Sequence, residues 1–330
     1  MTATTRRSAR GLVVFSWHNI ESTPGFPTKP GRGVQGFERQ LRHLARFATV
    51  LPLEPALDAL YAGETLPRRA VCLTFDDGYR DNLDLAVPLL RRYGLPATFF
   101  LVPAFLDQAR GAWWETLGWA LGRSRRDSVQ FEETEYRLGS AAAASIDQVA
   151  QSLKNRNKDE RDAAISQLVE LAEPEGTDPG ARLFLGWDGA RAIAAAGFSI
   201  GSHSLDHAIL SREDPAVQVA NIDTARRALI AGVGQEVATI AYPNGRFADA
   251  DHHTMAAARA AGHRYGLLLE AGRTTARTDP FAVRRPFVLP HRGAAGLYVQ
   301  FGRRAVDSIR SSPAHLRRVR GGGVRGTAAG

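Results

Sequence analysis

Two short stretches of the sequence hold side chains whose types and spacing suit metal-assisted hydrolysis. In VCLTFDDGYRDN, residues 71–82, Asp76 and Asp77 stand side by side at the end of an apolar run and are followed at once by Gly78. In IGSHSLDH, residues 200–207, His203 and His207 are four apart. An Asp-Gly turn accounts for Asp77 and Gly78 but leaves a further acid at the strand end without a task. A histidine pair at this spacing is ordinary on a surface. Joined by a carboxylate from another strand tip, it becomes a two-histidine, one-carboxylate set with coordination positions left open, the arrangement of catalytic metal centres. One aspartate would then bind the cation, and its neighbour would take a proton from water that the cation acidifies to a pKa of about 7. If the chain turns helical after the strand, both imidazoles point to one side.

The elements that must position these groups alternate along the chain. Short runs rich in β-branched and aromatic residues predict strands at 12–18, 70–76, 97–103, 198–203, 238–243 and 265–270, with a further one at 281–288. Amphipathic stretches such as GFERQLRHLARF, DNLDLAVPLLRRYG and DPAVQVANIDTARRALIAG lie between them and predict helices. This alternation predicts parallel βα units, an α/β fold closed into a barrel. Polar residues gather at the downstream strand ends: Trp17 and His18, Asp76 and Asp77, His203, Tyr242 with Asn244, and Arg285. In barrels that rim is where several strands aim side chains at one point.

Residues 108–185 break the rhythm and predict a mostly helical insertion within a single domain over 11–310. Trp113, Trp114 and Trp119 at its start are read as anchors against the barrel in preference to a sugar-stacking platform. His252 and His253 open a predicted helix and are read as solvated.

Composition excludes several classes. With 44% hydrophobic and 23% charged residues the chain is globular. The net charge of +8 owes much to Arg6, Arg7, Arg10, Arg317, Arg318, Arg320 and Arg325, so the basic excess lies in two tails, 1–10 and 311–330, read as flexible, and nucleic acid is not expected as a partner. Cys72 is the only cysteine, which rules out an intrachain disulfide framework; between Val71 and Leu73 it reads as a small buried hydrophobe. No apolar stretch reaches the roughly 20 residues of a membrane span, and no secretory signal is visible, so the cytoplasm is the default expectation.

These residues carry a resemblance. The chain resembles the polysaccharide deacetylases, the carbohydrate esterase family built on the NodB homology domain. The hallmark T-F-D-D-G is present as Thr74–Gly78, and H-[ST]-x-x-H as His203, Ser204, Leu205, Asp206 and His207. The similarity spans roughly residues 11 to 290. It implies a deformed (β/α)7-type barrel, a divalent metal held by Asp77, His203 and His207, and Asp76 as general base. It also implies removal of N-acetyl, less readily O-acetyl, groups from an acetylated polysaccharide or oligosaccharide. Zinc is the first expectation for the metal, with cobalt, manganese and nickel admitted by the same ligands.

The third family motif, R-x-P-Y, is altered to AYPNG: Ala241 replaces the arginine and Asn244 the tyrosine. A backbone N–H at Asn244 still suits an oxyanion. The arginine that orients the catalytic aspartate is missing there, and Arg285, from another strand, is the candidate replacement. The family's late L-x-H motif, which supplies a general acid, is echoed by Leu289, Pro290 and His291. His18 is expected to line the same mouth, binding substrate or assisting the acid; Tyr242 and Asn244 are the other expected substrate contacts. Two other readings stay open: a C–N hydrolase of a small or cyclic amide on the same fold, and a non-catalytic glycan-binding member of the family. An iron oxygenase, which has no use for the paired acids, ranks last. The sequence leaves the oligomeric state undetermined.

Overall fold

Runs of apolar and β-branched residues separated by amphipathic helices fold here as successive parallel strands with helices against their outer face. The computed structural model describes residues 11–108 and 111–299 of the 330. Both basic tails lie outside the described residues, as does the end of the expected domain.

The strands are β1 (Val13–Trp17), β2 (Thr49–Val50), β3 (Ala70–Phe75), β4 (Thr98–Leu101), β5 (Ser128–Phe131), β6 (Thr134–Arg137), β7 (Ser199–Ser202), β8 (Thr239–Ala241), β9 (Tyr265–Leu268) and β10 (Val283–Arg284). The helices are α1 (Arg32–Phe47), α2 (Leu53–Tyr61), α3 (Val87–Tyr93), α4 (Pro103–Leu106), α5 (Trp113–Gly122), α6 (Ala143–Leu153), α7 (Lys158–Ala172), α8 (Trp187–Ala195), α9 (Pro215–Val233), α10 (His252–Ala260) and α11 (Gly293–Val299).

The main sheet runs β1-β3-β4-β7-β8-β9-β10, all parallel, with β2 paired to β3. Past β10 the chain returns to the first strand: a parallel bridge joins Ser16 to Phe287, the Ser16 N–H donates to the Pro286 carbonyl at 3.1 Å, and the Val288 N–H donates to the Ser16 carbonyl at 2.8 Å. The result is a nearly closed, deformed barrel. The stretch 281–288, expected to be one strand, is ladder-paired only at Val283–Arg284 before this bridge takes over. No helix among the described residues is long and apolar enough to cross a membrane.

Alternation along each strand divides the core in two. Leu12, Val14, Cys72, Phe100, Ala241, Leu267 and Val283 pack together in the barrel interior, over Leu53, Leu57 and Leu60 of α2. Phe15, Trp17, Leu73, Phe75 and Phe99 face the other way, against Phe37 and Leu41 of α1 and the neighbouring helices. Cys72 is buried as expected, and burial pushes its thiol far up from the usual range. Gly201 of β7 lacks a side chain where one would collide with the Phe100 ring.

Residues 111–183 carry α5, α6 and α7 with a core of their own, in which Leu117, Leu121, Val149, Leu153 and Leu168 are buried. This segment also holds the antiparallel hairpin β5–β6, which the helical reading of the insertion did not foresee. Its anchor is Glu115 on α5. The buried carboxylate accepts from the Tyr79 hydroxyl at 2.7 Å, the Thr23 hydroxyl at 2.8 Å and the Gly25 N–H at 2.8 Å. Trp114 Nε1 donates to the Tyr79 hydroxyl at 2.8 Å and extends the same chain of bonds.

Candidate active site

Period-two geometry explains the first acid. In β3, Cys72 and Thr74 face the barrel interior, so Asp76, two residues further, faces it too, at the downstream mouth. The register that pairs Trp17 with Phe75 continues through the Asp76 N–H, which donates to the Trp17 carbonyl at 2.9 Å. The chain then leaves the strand through two left-handed residues, Asp77 (φ 71°) and Gly78 (φ 76°). Aspartate tolerates that region better than most residues. The turn presents both carboxylates at the same mouth, fully buried.

Asp76 is gripped by Arg285. Nη1 donates to Oδ1 at 2.7 Å and Nη2 to Oδ2 at 3.0 Å, a two-point fork. The same Nη1 reaches the Thr74 hydroxyl at 3.0 Å and lies 3.4 Å from that of Ser16, while the Ser16 hydroxyl donates to Asp76 Oδ2 at 3.2 Å. The guanidinium is fully buried and lies 5.0 Å from the Phe100 ring centroid. Burial works to raise the Asp76 pKa, but the cation beside it, with smaller help from His203 and His18, holds it below the usual carboxylate range. Arg285 thus stands where the altered third motif has no arginine.

Asp77 meets both histidines. His203 Nε2 and His207 Nε2 each lie 3.3 Å from Asp77 Oδ1, and one ligand atom from each of the three residues falls within 4.8 Å of the others. The His203 Nδ1 faces the Ala241 carbonyl at 2.7 Å. A carbonyl only accepts, so Nδ1 carries a proton and Nε2 is the nitrogen turned to Asp77. Against the cost of burial, the hydrogen bond and charge of Asp77, with the charge of Asp76, push the His203 pKa above its usual value, and a cation would take the place of the proton at Nε2. His207 is buried between Trp114, 4.5 Å away ring to ring, and Phe105, and burial pushes its pKa down to about 4, leaving it neutral at pH 7. Against the cost of burial, His18 and the two facing imidazoles push Asp77 well below the usual carboxylate range.

The pair does not meet through a helical turn. Residues 203–207 form a loop in which Ser204 (φ 64°) and His207 (φ 59°) are left-handed. Asn221 of α9 holds it, accepting from the Leu205 N–H and donating to Asp206, both at 2.8 Å. Both Asp77 oxygens are buried with no hydrogen-bond donor in this structure. An ionised carboxylate left so is costly, and a cation between it and two imidazole lone pairs removes the cost. The donor set fits a divalent metal.

The triad opens into a cavity of about 270 Å³ lined from the barrel by His18, Phe26, Asp77, His207, Asn244, Leu269 and Phe287, and from the insertion by Trp113, Trp114 and residues of α6. Larger hollows of about 660 and 540 Å³ lie elsewhere and contain none of the paired acids or facing histidines; chemistry, not size, selects the site. His18 stands with its edge against the Phe287 ring, 4.7 Å between centroids, its Nδ1 buried and unpartnered. Its loop is pinned by the residues that follow the paired acids. Asp81 accepts from the Ile20 N–H at 2.7 Å and the Glu21 N–H at 2.8 Å, and Asn82 donates to the His18 carbonyl at 2.8 Å. Burial pushes Asp81 up to about 6.

Asn244 (φ 58°) lines the cavity, its side chain turned back onto Asp249, and its backbone N–H has no acceptor among the described residues. Two expected site residues are placed elsewhere. Tyr242 is buried among Ile240, Ala257 and Leu268, its hydroxyl donating to the Phe281 carbonyl at 3.2 Å. Thr239 and Ala241 take the inward positions of β8, so strand parity turns Tyr242 outward, away from any substrate. His291 stands on the turn Pro290–Arg292, packed on α1 where Gly36 lets the chain approach, and it is not among the residues lining the cavity. His252 and His253 open α10, exposed, as expected.

Three supporting groups escaped the sequence reading, Ser16 beside Arg285, Asn221 behind the histidine loop and Glu115 beneath Trp114, and Thr74, named there only as part of the hallmark motif, is a fourth. Only Thr74 carried a signal, as a polar residue inside an apolar strand; the others are set by contacts between distant segments.

The family described as Polysaccharide deacetylase matches residues 63–266. YxkH of Bacillus subtilis (strain 168), whose name assigns it provisionally to the polysaccharide deacetylases, is 22% identical over 291 residues, covering 88% of this chain and 76% of that one. A poly-beta-1,6-N-acetyl-D-glucosamine N-deacetylase of Escherichia coli (strain K12) is 29% identical over 98 residues, 29% of this chain and 15% of that protein. Among solved structures, the Streptococcus pyogenes deacetylase PplD in complex with acetate superposes with a TM-score of 0.59 at 17% identity, covering 89% of this chain and 100% of that one. IcaB from Ammonifex degensii gives 0.53 at 18% identity, covering 88% and 97%. At such identities these likenesses speak for the fold.

Proposed function

The chain belongs to the polysaccharide deacetylase family, and from that premise we propose that it is a metal-dependent hydrolase releasing acetate from N-acetylated sugar units of an oligosaccharide or polysaccharide. The observation that carries this reading is the pairing of Asp76, ionised and clamped by Arg285, with an adjacent Asp77 that faces the Nε2 atoms of two imidazoles. Two acids with different partners have different tasks.

Asp77, His203 and His207 are the residues to hold the ion, zinc first by ligand type. When bound, a divalent ion there polarises a carbonyl and brings water into the acidity range of a base at neutral pH. Asp76 takes a proton from the attacking water, and Arg285 keeps its carboxylate ionised and aimed. The water oxygen bonds to the acetyl carbon, and the Asn244 N–H is free to donate to the oxyanion that develops. His18, on the cavity wall, donates a proton to the departing amine nitrogen as the C–N bond breaks. Acetate and a free amino sugar result.

An N-acetyl substrate is favoured over an O-acetyl one because the Escherichia coli relative's name specifies N-deacetylation. Acetate release from N-acetylglucosamine oligomers by metal-supplemented protein, abolished by chelator and restored by zinc, is the expected result. Chelator-insensitive release, or none from any acetylated glycan tried, counts against the proposal.

A further inference from the structure

Helix α6 of the insertion presents three faces. Val149 and Leu153 are buried in the insertion's own core. Ile146 and Ala150, one turn apart, line the cavity over the metal-ligating triad, and Asp147, Gln151 and Lys154 line it alongside them. Positions 147, 151 and 154 follow helical spacing, so three polar side chains form one row beside an apolar one. None of these three side chains makes a hydrogen bond or ion pair with another described residue. Lys154, half-buried, lies in the field of Arg246, Asp249 and Asp147 without pairing with either acid, and burial lowers its pKa.

A sugar ring offers an apolar C–H face and an edge of hydroxyls that both donate and accept. A wall that recognises one therefore needs an apolar strip next to a carboxylate, an amide and an ammonium, which together supply acceptors and donors. Trp114, Ile146 and Ala150 form that strip, with Asp147, Gln151 and Lys154 beside it. The cavity itself, about 270 Å³, has room for little more than one sugar unit. A second unit must lie along its rim, where the polar row stands.

We propose that the inward face of α6 binds the sugar unit adjoining the one that loses its acetyl group, and so selects oligosaccharides over isolated acetylated sugars and small amides. The assignment rests on the deacetylase reading above and specifies its substrate.

The test uses metal-loaded full-length protein and the β-1,4- and β-1,6-linked tetrasaccharides of N-acetylglucosamine as probes. Affinity is read by calorimetry in an Asp76→Asn background and turnover in the Asp76 protein. Replacing Gln151 by Ala and Lys154 by Met together should raise KM and weaken affinity about tenfold, the loss expected for two hydrogen bonds, with a much smaller change in kcat. Asp147→Ala should act in the same direction. Gln148→Ala, on the exposed face of α6 that does not line the cavity, should leave both values and the melting temperature in place.

Unchanged KM and affinity in the α6 variants overturns the wall, as does a protein that binds neither tetrasaccharide. Tetrasaccharide bound in an α6-dependent way but never deacetylated overturns the deacetylase reading and leaves the wall standing.

Discussion

Arg285 clamps Asp76 at two points, 2.7 and 3.0 Å, across 209 positions of sequence, from the far end of the barrel sheet. The contact closes the barrel and aims the proposed base in one stroke, because Ser16 and Thr74 of the first and third strands share the same guanidinium.

Arg285 acts through Asp76 and is a positioning residue. Arg285→Lys retains the charge but loses the fork, so kcat should fall about a hundredfold with KM little changed, the cost of a base displaced by about 1 Å. Arg285→Ala leaves Asp76 buried without its cation and should lose more activity, together with about 3–5 kcal/mol of stability. Steady-state kinetics and urea unfolding of both variants check this. A lysine variant no better than the alanine one would show that the charge contributes nothing without the fork, and unaltered kcat in both would show that Asp76 needs neither.

The proton donor separates two histidines. His18→Asn should lower kcat at least about a hundredfold on an amide substrate, while His291→Ala, at a residue that does not line the cavity, should stay within about twofold of the parent. An inactive His291 variant that remains folded would return the acid role to that residue.

How far these roles were legible follows from what each residue's position depends on. Asp76, Asp77 and His203 are local: an apolar run ends, and the next polar residue must stand at the strand tip. The barrel was legible for the same reason, since seven runs alternate with amphipathic helices. Tyr242 was misread because its tip position is right but its parity is not; Thr239 and Ala241 own the inward side. The helical turn that the four-residue spacing would allow at the histidines is not formed, because left-handed Ser204 and His207 are held by Asn221, a contact invisible in local spacing. The hairpin β5–β6 and the two-residue β2 are too short for periodicity to reveal. His291 carries a plausible motif, but the turn that removes it is dictated by packing on α1.

Glu115 ties the insertion to the barrel through three donors. Glu115→Ala strands all of them and should cost about 3 kcal/mol or more. Chemical denaturation would show it. Because the insertion supplies half of the cavity wall, substrate affinity should fall with it. A variant of unaltered stability would show that the segment is held by its apolar contacts alone.

His263 sits outside the site and tests the core's tolerance of charge. It is buried, and burial, aided by the nearby Arg226 and only partly opposed by the Val237 backbone, pushes its pKa down to about 3 from 6.5. The unfolded chain therefore takes up the proton first. The stability conferred by the neutral ring is complete above pH 6.5 and drains away as the pH falls toward 3. Thermal melts across that window should decline steadily in the parent and less steeply in His263→Leu. Parallel curves would show that His263 does not set the acid limb.

Metal content read by plasma emission spectroscopy after dialysis against zinc tests the central claim most directly. The account predicts one divalent ion per chain in the parent and in Asp76→Asn, with the latter inactive, and loss of stoichiometric metal in Asp77→Ala, His203→Ala and His207→Ala. A parent protein that takes up no ion, or an Asp77→Ala variant that keeps it, would contradict the account.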